Sequence, residues 1–140
     1  MTVRLARTAE DLTGVYAVRH EVFVVGQGVP IDIERDAEDD AALHVLAEHD
    51  GRIVGAGRLV VAGEVGVLGR LSVLPELRGH HVGVRLVDLI ESLARDHGCR
   101  AVELHAQVPV RAFYESLGYQ AFGDEYDEAG IPHISMRKLL

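Results

Sequence analysis

A chain of 140 residues suits one compact domain with one core, read here as residues 1–140, and leaves little room for a second. Hydrophobic residues make up 48% and charged residues 26%, which argues against disordered and fibrous classes. The net charge of −8, with no basic tract, disfavours nucleic acid and anionic membrane as partners and favours a cationic one. No apolar run approaches the roughly 20 residues that span a bilayer, and MTVRLARTAEDL has acids where a signal peptide would be apolar. The expected location is therefore the cytoplasm. The lone Cys99 fits a reducing compartment and argues against a cysteine-based zinc site.

Along the chain, Thr2 to Ala6 reads as a short strand, and Thr8 to Asp11 as a capping box opening a helix that carries Leu12, Val15, Tyr16, Arg19 and Phe23 at helical spacing. Residues 26–42 are rich in Gly, Pro and acids, which predicts a loop or irregular helix over the surface and a candidate substrate lip. HVLAEH and RIVGAGRLVVA flank Asp50-Gly51, a strong hairpin signal, and a further strand spans Glu64 to Leu74, so an antiparallel meander is expected. After Pro75 the period changes to 3.6. Val82, Leu86, Leu89, Ile90, Leu93 and Ala94 mark one face of a helix that Gly98 closes. Arg100 to Gln107 is the next strand, Pro109 opens a helix with Val110, Phe113 and Leu117, and Gly118 ends it. Tyr119 to Tyr126 and Ile134 to Leu139 are the last strands. The order implies an α/β fold with a mixed, mostly antiparallel sheet flanked by helices.

The stretch LSVLPELRGHHVGVRL, Leu71 to Leu86, takes a strand through a loop into a helix. A helix start offers unpaired N–H groups and about half a positive charge, so residues 78–84 are placed to hold a pyrophosphate. The spacing of Gly79 and Gly83 alone is equally that of a plain turn. In full, however, the stretch resembles the coenzyme-A signature of the GNAT superfamily, R/Q-x-x-G-x-G/A, with Arg78, His81 and Gly83 at its three fixed positions. AQVPVRAFYESLGY resembles the second GNAT signature through Gln107, Phe113, Tyr114, Gly118 and Tyr119. RHEVFVVGQGVPIDIE and EYDEAGIPHISMRK resemble the ElaA-like branch, which extends the likeness over nearly the whole chain. Two positions depart from it: His81 stands where the loop has a middle glycine, and Gly26 where that branch has Glu. A side chain at His81 suits a right-handed helical backbone. At mildly acidic pH the imidazoles of His80 and His81 would add positive charge near the phosphates.

The resemblance implies the acyl-CoA N-acyltransferase fold and transfer of an acetyl group from acetyl-CoA, the cosubstrate, to an amine. It implies that Leu71, Ser72, Val73, Arg78, Gly79, His80, His81, Val82, Gly83, Val84, Gln107 and Phe113 contact the coenzyme, and that Tyr114 lies beside the thioester sulfur as acid or hydrogen-bond donor. A Lys-like amine, of pKa about 10.4, must lose a proton before it attacks. No acid lies between Val65 and Pro75, so the base is sought elsewhere. Glu103 and His105 share a strand face with Gln107 and are the candidates, each equally readable as a surface or core residue. His44, His133 and Tyr126 are further candidates that the ElaA-like resemblance includes. The eight histidines lack metal-ligand spacing, and no metal is expected. Asp32, Glu34, Asp36, Glu38, Asp39 and Asp40, with Asp124, Glu125, Asp127 and Glu128, read as a solvated face or, if they line the acceptor mouth, as an attractor of cationic amines. The rival readings are another acyl donor or acceptor and a catalytically silent coenzyme-A-binding module. A β-edge or the closing hairpin is a candidate homodimer surface.

Overall fold

The structure is a computed structural model that describes residues 1–140. β1 (Thr2–Leu5) leads into α1 (Ala9–Arg19), and the capping box forms as expected: Asp11 N–H donates to Thr8 Oγ1 at 3.0 Å and Thr8 N–H to Asp11 Oδ2 at 3.3 Å. Arg4 clamps the same carboxylate with bonds of 2.8 and 2.9 Å, which holds Asp11 well below the usual carboxylate range. The helix then widens into a π-helical segment, His20–Val25. The acidic stretch after it is partly helical: α2 (Ile31–Glu34) and a 3₁₀ turn (Ala37–Asp40) cross the surface before the sheet resumes.

β2 (Leu43–His49), β3 (Arg52–Ala62) and β4 (Val65–Val73) form the meander, with Asp50 and Gly51 at φ 51° and 75° in the two-residue turn that their side chains favour. α3 (Val82–Asp96) follows, then β5 (Ala101–Gln107), α4 (Arg111–Ser116), β6 (Gln120–Glu128) and β7 (Ile131–Leu139). Pro109 lies in a 3₁₀ turn just before α4. The final strands reach further toward each other than the alternation suggests, because Ala129 and Gly130, at φ 53° and 76°, close a two-residue turn between paired Glu128 and Ile131. The sheet order is β1-β2-β3-β4-β5-β7-β6, and every neighbouring pair is antiparallel except β4–β5.

Of the predicted stripe α3 buries Val82, Leu86, Ile90 and Ala94 at 0–2% exposure and leaves Leu89 and Leu93 partly buried, while Val87, outside that stripe, is 2% exposed. Two glycines of β3 lie beneath α3. A Cβ at Gly55 would stand 3.1 Å from Leu86 Cδ1 and one at Gly57 3.0 Å from Ile90 Cδ1, so side chains there would push the helix away. Strand alternation sends the next side chain, Arg58, to the opposite face, where α1 packs. One further buried cluster secures α3: Glu91 accepts from Tyr119 Oη at 2.9 Å and from Lys138 Nζ at 3.0 Å.

Candidate active site

β4 and β5 run parallel only from Val65/Ala101 to Leu68/Leu104. Beyond that, β4 stays with β3 and β5 stays with β7, so the two strands part. The cause is local. Between the pairs Arg58/Gly69 and Ala56/Ser72, Gly57 faces two residues of β4, a bulge with Arg70 at φ 53°. The parting opens a cavity of about 970 Å³ lined by Gly69 to Val73 on one side and Leu104 to Gln107 on the other, with Arg78, Phe113 and Tyr114 among its walls.

Of the residues expected at the coenzyme, Leu71, Ser72, Val73, Arg78, Gln107 and Phe113 line this cavity, whereas Gly79, His80, His81, Val82, Gly83 and Val84 form the turn and first residues of α3 beyond its lining. The first intrahelical bond runs from Arg85 N–H to His81 C=O at 3.2 Å. The N–H groups of Val82, Gly83 and Val84 thus have no acceptor in the helix, no side chain caps them, and no acid stands in the first turn. Such an end suits an anion of pyrophosphate type. Gly83 keeps it close to the cavity: a Cβ there would lie 3.2 Å from Phe113 Cζ.

His81 corrects an expectation. Its backbone is left-handed, φ 61° and ψ 21°, rather than right-handed helical, because the chain reverses through Gly79 at φ 83° and His81 before α3 starts. A non-glycine residue in that region costs about 1–2 kcal/mol, and glycine loosens the unfolded chain by about 0.4–1 kcal/mol. His81→Gly is therefore expected to raise stability by about 0.5–1 kcal/mol, read as a higher urea midpoint at unchanged slope; a lower midpoint would show that the imidazole holds the turn.

Tyr114 is 7% exposed and packs edge-on against Phe113 and Tyr119. Burial pushes its phenol well above the ordinary value, so it keeps its proton. Tyr114 lines the cavity, and its hydroxyl makes no side-chain hydrogen bond within the protein. Glu103 and His105 separate clearly. Glu103 accepts from Arg137 Nε at 2.7 Å and does not line the cavity; His105 does line it, and shares a hydrogen bond with the Tyr126 hydroxyl. His44 is buried off the cavity, donating from Nε2 to the Asp39 carbonyl at 2.9 Å. His133 lines the cavity, and Tyr126 stacks on it.

The acids split: Asp32, Asp36, Glu38 and Asp40, like Asp124, Glu125, Asp127 and Glu128 of the closing hairpin, are exposed as on a solvated face, whereas two acids of the lip are not. Glu34 and Asp39 are buried at 3% and 7% exposure and bind Arg19, itself 1% exposed. Arg19 donates from Nε to Glu34 at 2.7 Å and from Nη1 and Nη2 to Asp39 at 2.7 and 3.1 Å. Arg58 donates to Asp36 and Asp39 at 2.8 and 2.9 Å, and Arg70, turned by the bulge, reaches the Glu34 carbonyl at 3.0 Å and Asp36 at 3.1 Å. This network seats residues 31–40 on the sheet, and Ile33, Glu34, Asp36 and Glu38 become a cavity wall. Sequence reasoning missed Arg58 and Arg70. The available signal was a charge inside each of two otherwise apolar strands. It also missed Gln27, whose amide pairs with that of Gln107 across the cavity at 2.8 and 3.2 Å.

The Acetyltransferase (GNAT) domain family matches residues 8–140. The chain belongs to the GNAT family of acetyltransferases. This GNAT chain is 34% identical over 139 residues to the uncharacterised N-acetyltransferase YjcF of Bacillus subtilis (strain 168), covering 99% of both chains. It is 32% identical over 136 residues to the protein ElaA of Escherichia coli (strain K12), covering 94% of this chain and 89% of that one, and ElaA's crystal structure superposes with a TM-score of 0.86 over 98% of both chains. An acyl-CoA N-acyltransferase from Pseudomonas aeruginosa shares the fold with a TM-score of 0.85 at 30% identity, covering 98% of this chain and 97% of that one. The acyl-CoA N-acyltransferase fold and the likeness to ElaA are thereby shown. No helix of this GNAT chain is long and apolar enough to cross a membrane.

Proposed function

We infer that this GNAT protein transfers an acetyl group from acetyl-CoA to the amine of a small or peptidic cationic acceptor by direct attack on the thioester. The observation that carries this is the parting of β4 and β5, which leaves a cavity between the open start of α3 and the free hydroxyl of Tyr114. When bound, acetyl-CoA supplies the electrophilic thioester carbonyl and a thiolate leaving group. The N–H groups of Val82, Gly83 and Val84 fit its pyrophosphate, with Arg78 at the cavity mouth nearby, and Leu71, Val73, Gln107 and Phe113 flank the pantetheine arm.

Tyr114 hydrogen-bonds the departing sulfur. With its phenol pushed up by burial, handing over a whole proton is less favourable still than the roughly 2 kcal/mol uphill of an ordinary tyrosine and thiol. Of the two base candidates, Glu103 is neutralised by Arg137 and the wall containing His105 remains. A cationic acceptor is supported by Glu38 and Glu128, the cavity-lining carboxylates that accept no hydrogen bond from an arginine. A thiol-release assay with acetyl-CoA and a panel of mono- and polyamines, run beside calorimetry, tests the reading. Saturable binding and amine-dependent release are expected. Absence of binding heat, or release indifferent to the amine, removes it.

A further inference from the structure

Three registers converge on one face of the sheet at the end of the parted strands. Gln107 of β5 lies directly opposite His133 of β7, His105 lies opposite Ser135, and on the other side of β7 His133 lies opposite Tyr126. Directly opposed residues of antiparallel strands share a face, so these side chains form one patch, of which His105, Gln107 and His133 line the cavity. Within it the tautomer of one histidine is decided by its partner. His133 Nδ1 lies 2.7 Å from the Ile131 carbonyl oxygen, which only accepts, so Nδ1 carries the hydrogen and donates it. In the neutral ring Nε2 then holds the lone pair, and Glu128 Oε2 stands 3.5 Å from it. Both partners come from the same tight turn, in which Ala129 occupies a left-handed conformation that costs about 1–2 kcal/mol. Backbone strain of this kind is found where a site needs it. His105 has no such determinant, because the Tyr126 hydroxyl on its Nδ1 both donates and accepts.

We propose that His133 is the general base of the reaction and Glu128 the positioning residue that steadies its imidazolium, an assignment that rests on the transferase reading above. The acceptor arrives as an ammonium. One N–H bond breaks as Nε2–H forms on His133, and the freed nitrogen lone pair makes the N–C bond of the new amide while the C–S bond of the thioester breaks. The second nitrogen proton ends on the thiolate sulfur, and His133 returns its own to water, so each turnover releases one proton. The imidazolium formed lies between a carbonyl and a carboxylate, each suited to one of its N–H groups. The titratable groups that face His133 are Tyr126 and Glu128 from β6, and His105 of β5 lies on the same face, hydrogen-bonded to Tyr126.

The variant His133→Asn keeps an amide N–H for the Ile131 carbonyl and removes the base. Its kcat is expected to fall about 10²- to 10⁴-fold, with the Kd for acetyl-CoA within twofold of the wild type and the acid-side fall of kcat/KM abolished. His105→Gln is expected to lower kcat less and to keep that acid-side fall. The reverse order overturns the assignment, as does a His133→Asn enzyme that matches the wild type. The second readout is the imidazole ¹⁵N spectrum of the wild-type chain without ligand, where the neutral Nδ1–H form of His133 is expected. An Nε2–H form overturns the assignment even if His133→Asn fails to fold. A wild type that binds acetyl-CoA yet acetylates no amine brings down the transferase reading and this base together; a wild type that turns over with an inert His133 brings down only the base.

Discussion

Arg19→Met is expected to cost about 3–5 kcal/mol, a large part of the 5–15 kcal/mol that holds a typical domain together. Arg19 uses four of its N–H donors, on Glu34 Oε2, on the Glu34 carbonyl and on both oxygens of Asp39. Taken as a group, buried ion pairs add little to stability, because desolvation offsets attraction; removing one member is different, since it leaves the others charged and dry. Burial alone would raise the Asp39 carboxyl, but hydrogen bonds from Arg19 and Arg58 outweigh it and hold Asp39 far below the usual carboxylate range. Asp36, where burial is likewise outweighed by Arg58, and Asp11, bound by Arg4, are lowered too. For lowered carboxyls the unfolded chain takes up protons first, so their stabilisation is present above about pH 3.9 and is lost as the pH falls further. Urea unfolding at pH 7 and pH 3 checks both points: Arg19→Met should show a lower midpoint at pH 7 and a smaller loss on acidification. A midpoint within about 1 kcal/mol of the wild type would mean that the network is incidental. Because residues 31–40 also wall the cavity, KM for the amine should rise in the same variant.

Tyr114→Phe is expected to lower kcat by about 10- to 150-fold, the equivalent of one hydrogen bond to a charged sulfur, about 1.5–3 kcal/mol. The Kd for acetyl-CoA should stay within twofold. Stability at neutral pH should change by less than about 1 kcal/mol, since the hydroxyl has no protein partner to lose. The tyrosine also marks the alkaline side. Burial raises Tyr114 and, with help from the Glu91 carboxylate, Tyr119, so the unfolded chain loses phenol protons first and stability declines once the pH passes about 10. That decline should be shallower in Tyr114→Phe. An unaltered kcat would remove Tyr114 from the chemistry and leave it a packing residue between Phe113 and Tyr119.

Local chemistry was enough for much of this molecule. Thr8 and Asp11 announce a helix start because their side chains satisfy each other's backbone N–H groups, whatever packs around them. Asp50-Gly51 turns the chain because both residues tolerate positive φ, and the apolar positions from Val82 to Ala94 recur every 3.6 residues because one face of α3 meets the sheet. The helices after β4 and after Gln107 were readable for the same reason, since their starts and the glycines that end them are set by neighbours in sequence.

Tertiary structure decided the rest. The left-handed turn at His81 follows from the path between β4 and α3, and the bulge at Arg70 from an extra residue that only the register against β3 exposes. The acids of residues 32–40 look alike as letters. Which of them are buried depends on Arg19, Arg58 and Arg70, between 15 and 36 positions away along the chain. Glu103 and His105 share a strand face, yet one meets Arg137 and the other Tyr126, and only the hairpin turn puts the Ile131 carbonyl beside Nδ1 of His133. Periodicity and capping are short-range preferences that each residue carries with it, whereas charge state, tautomer and access to a cavity are set by atoms that only folding brings within a few ångströms.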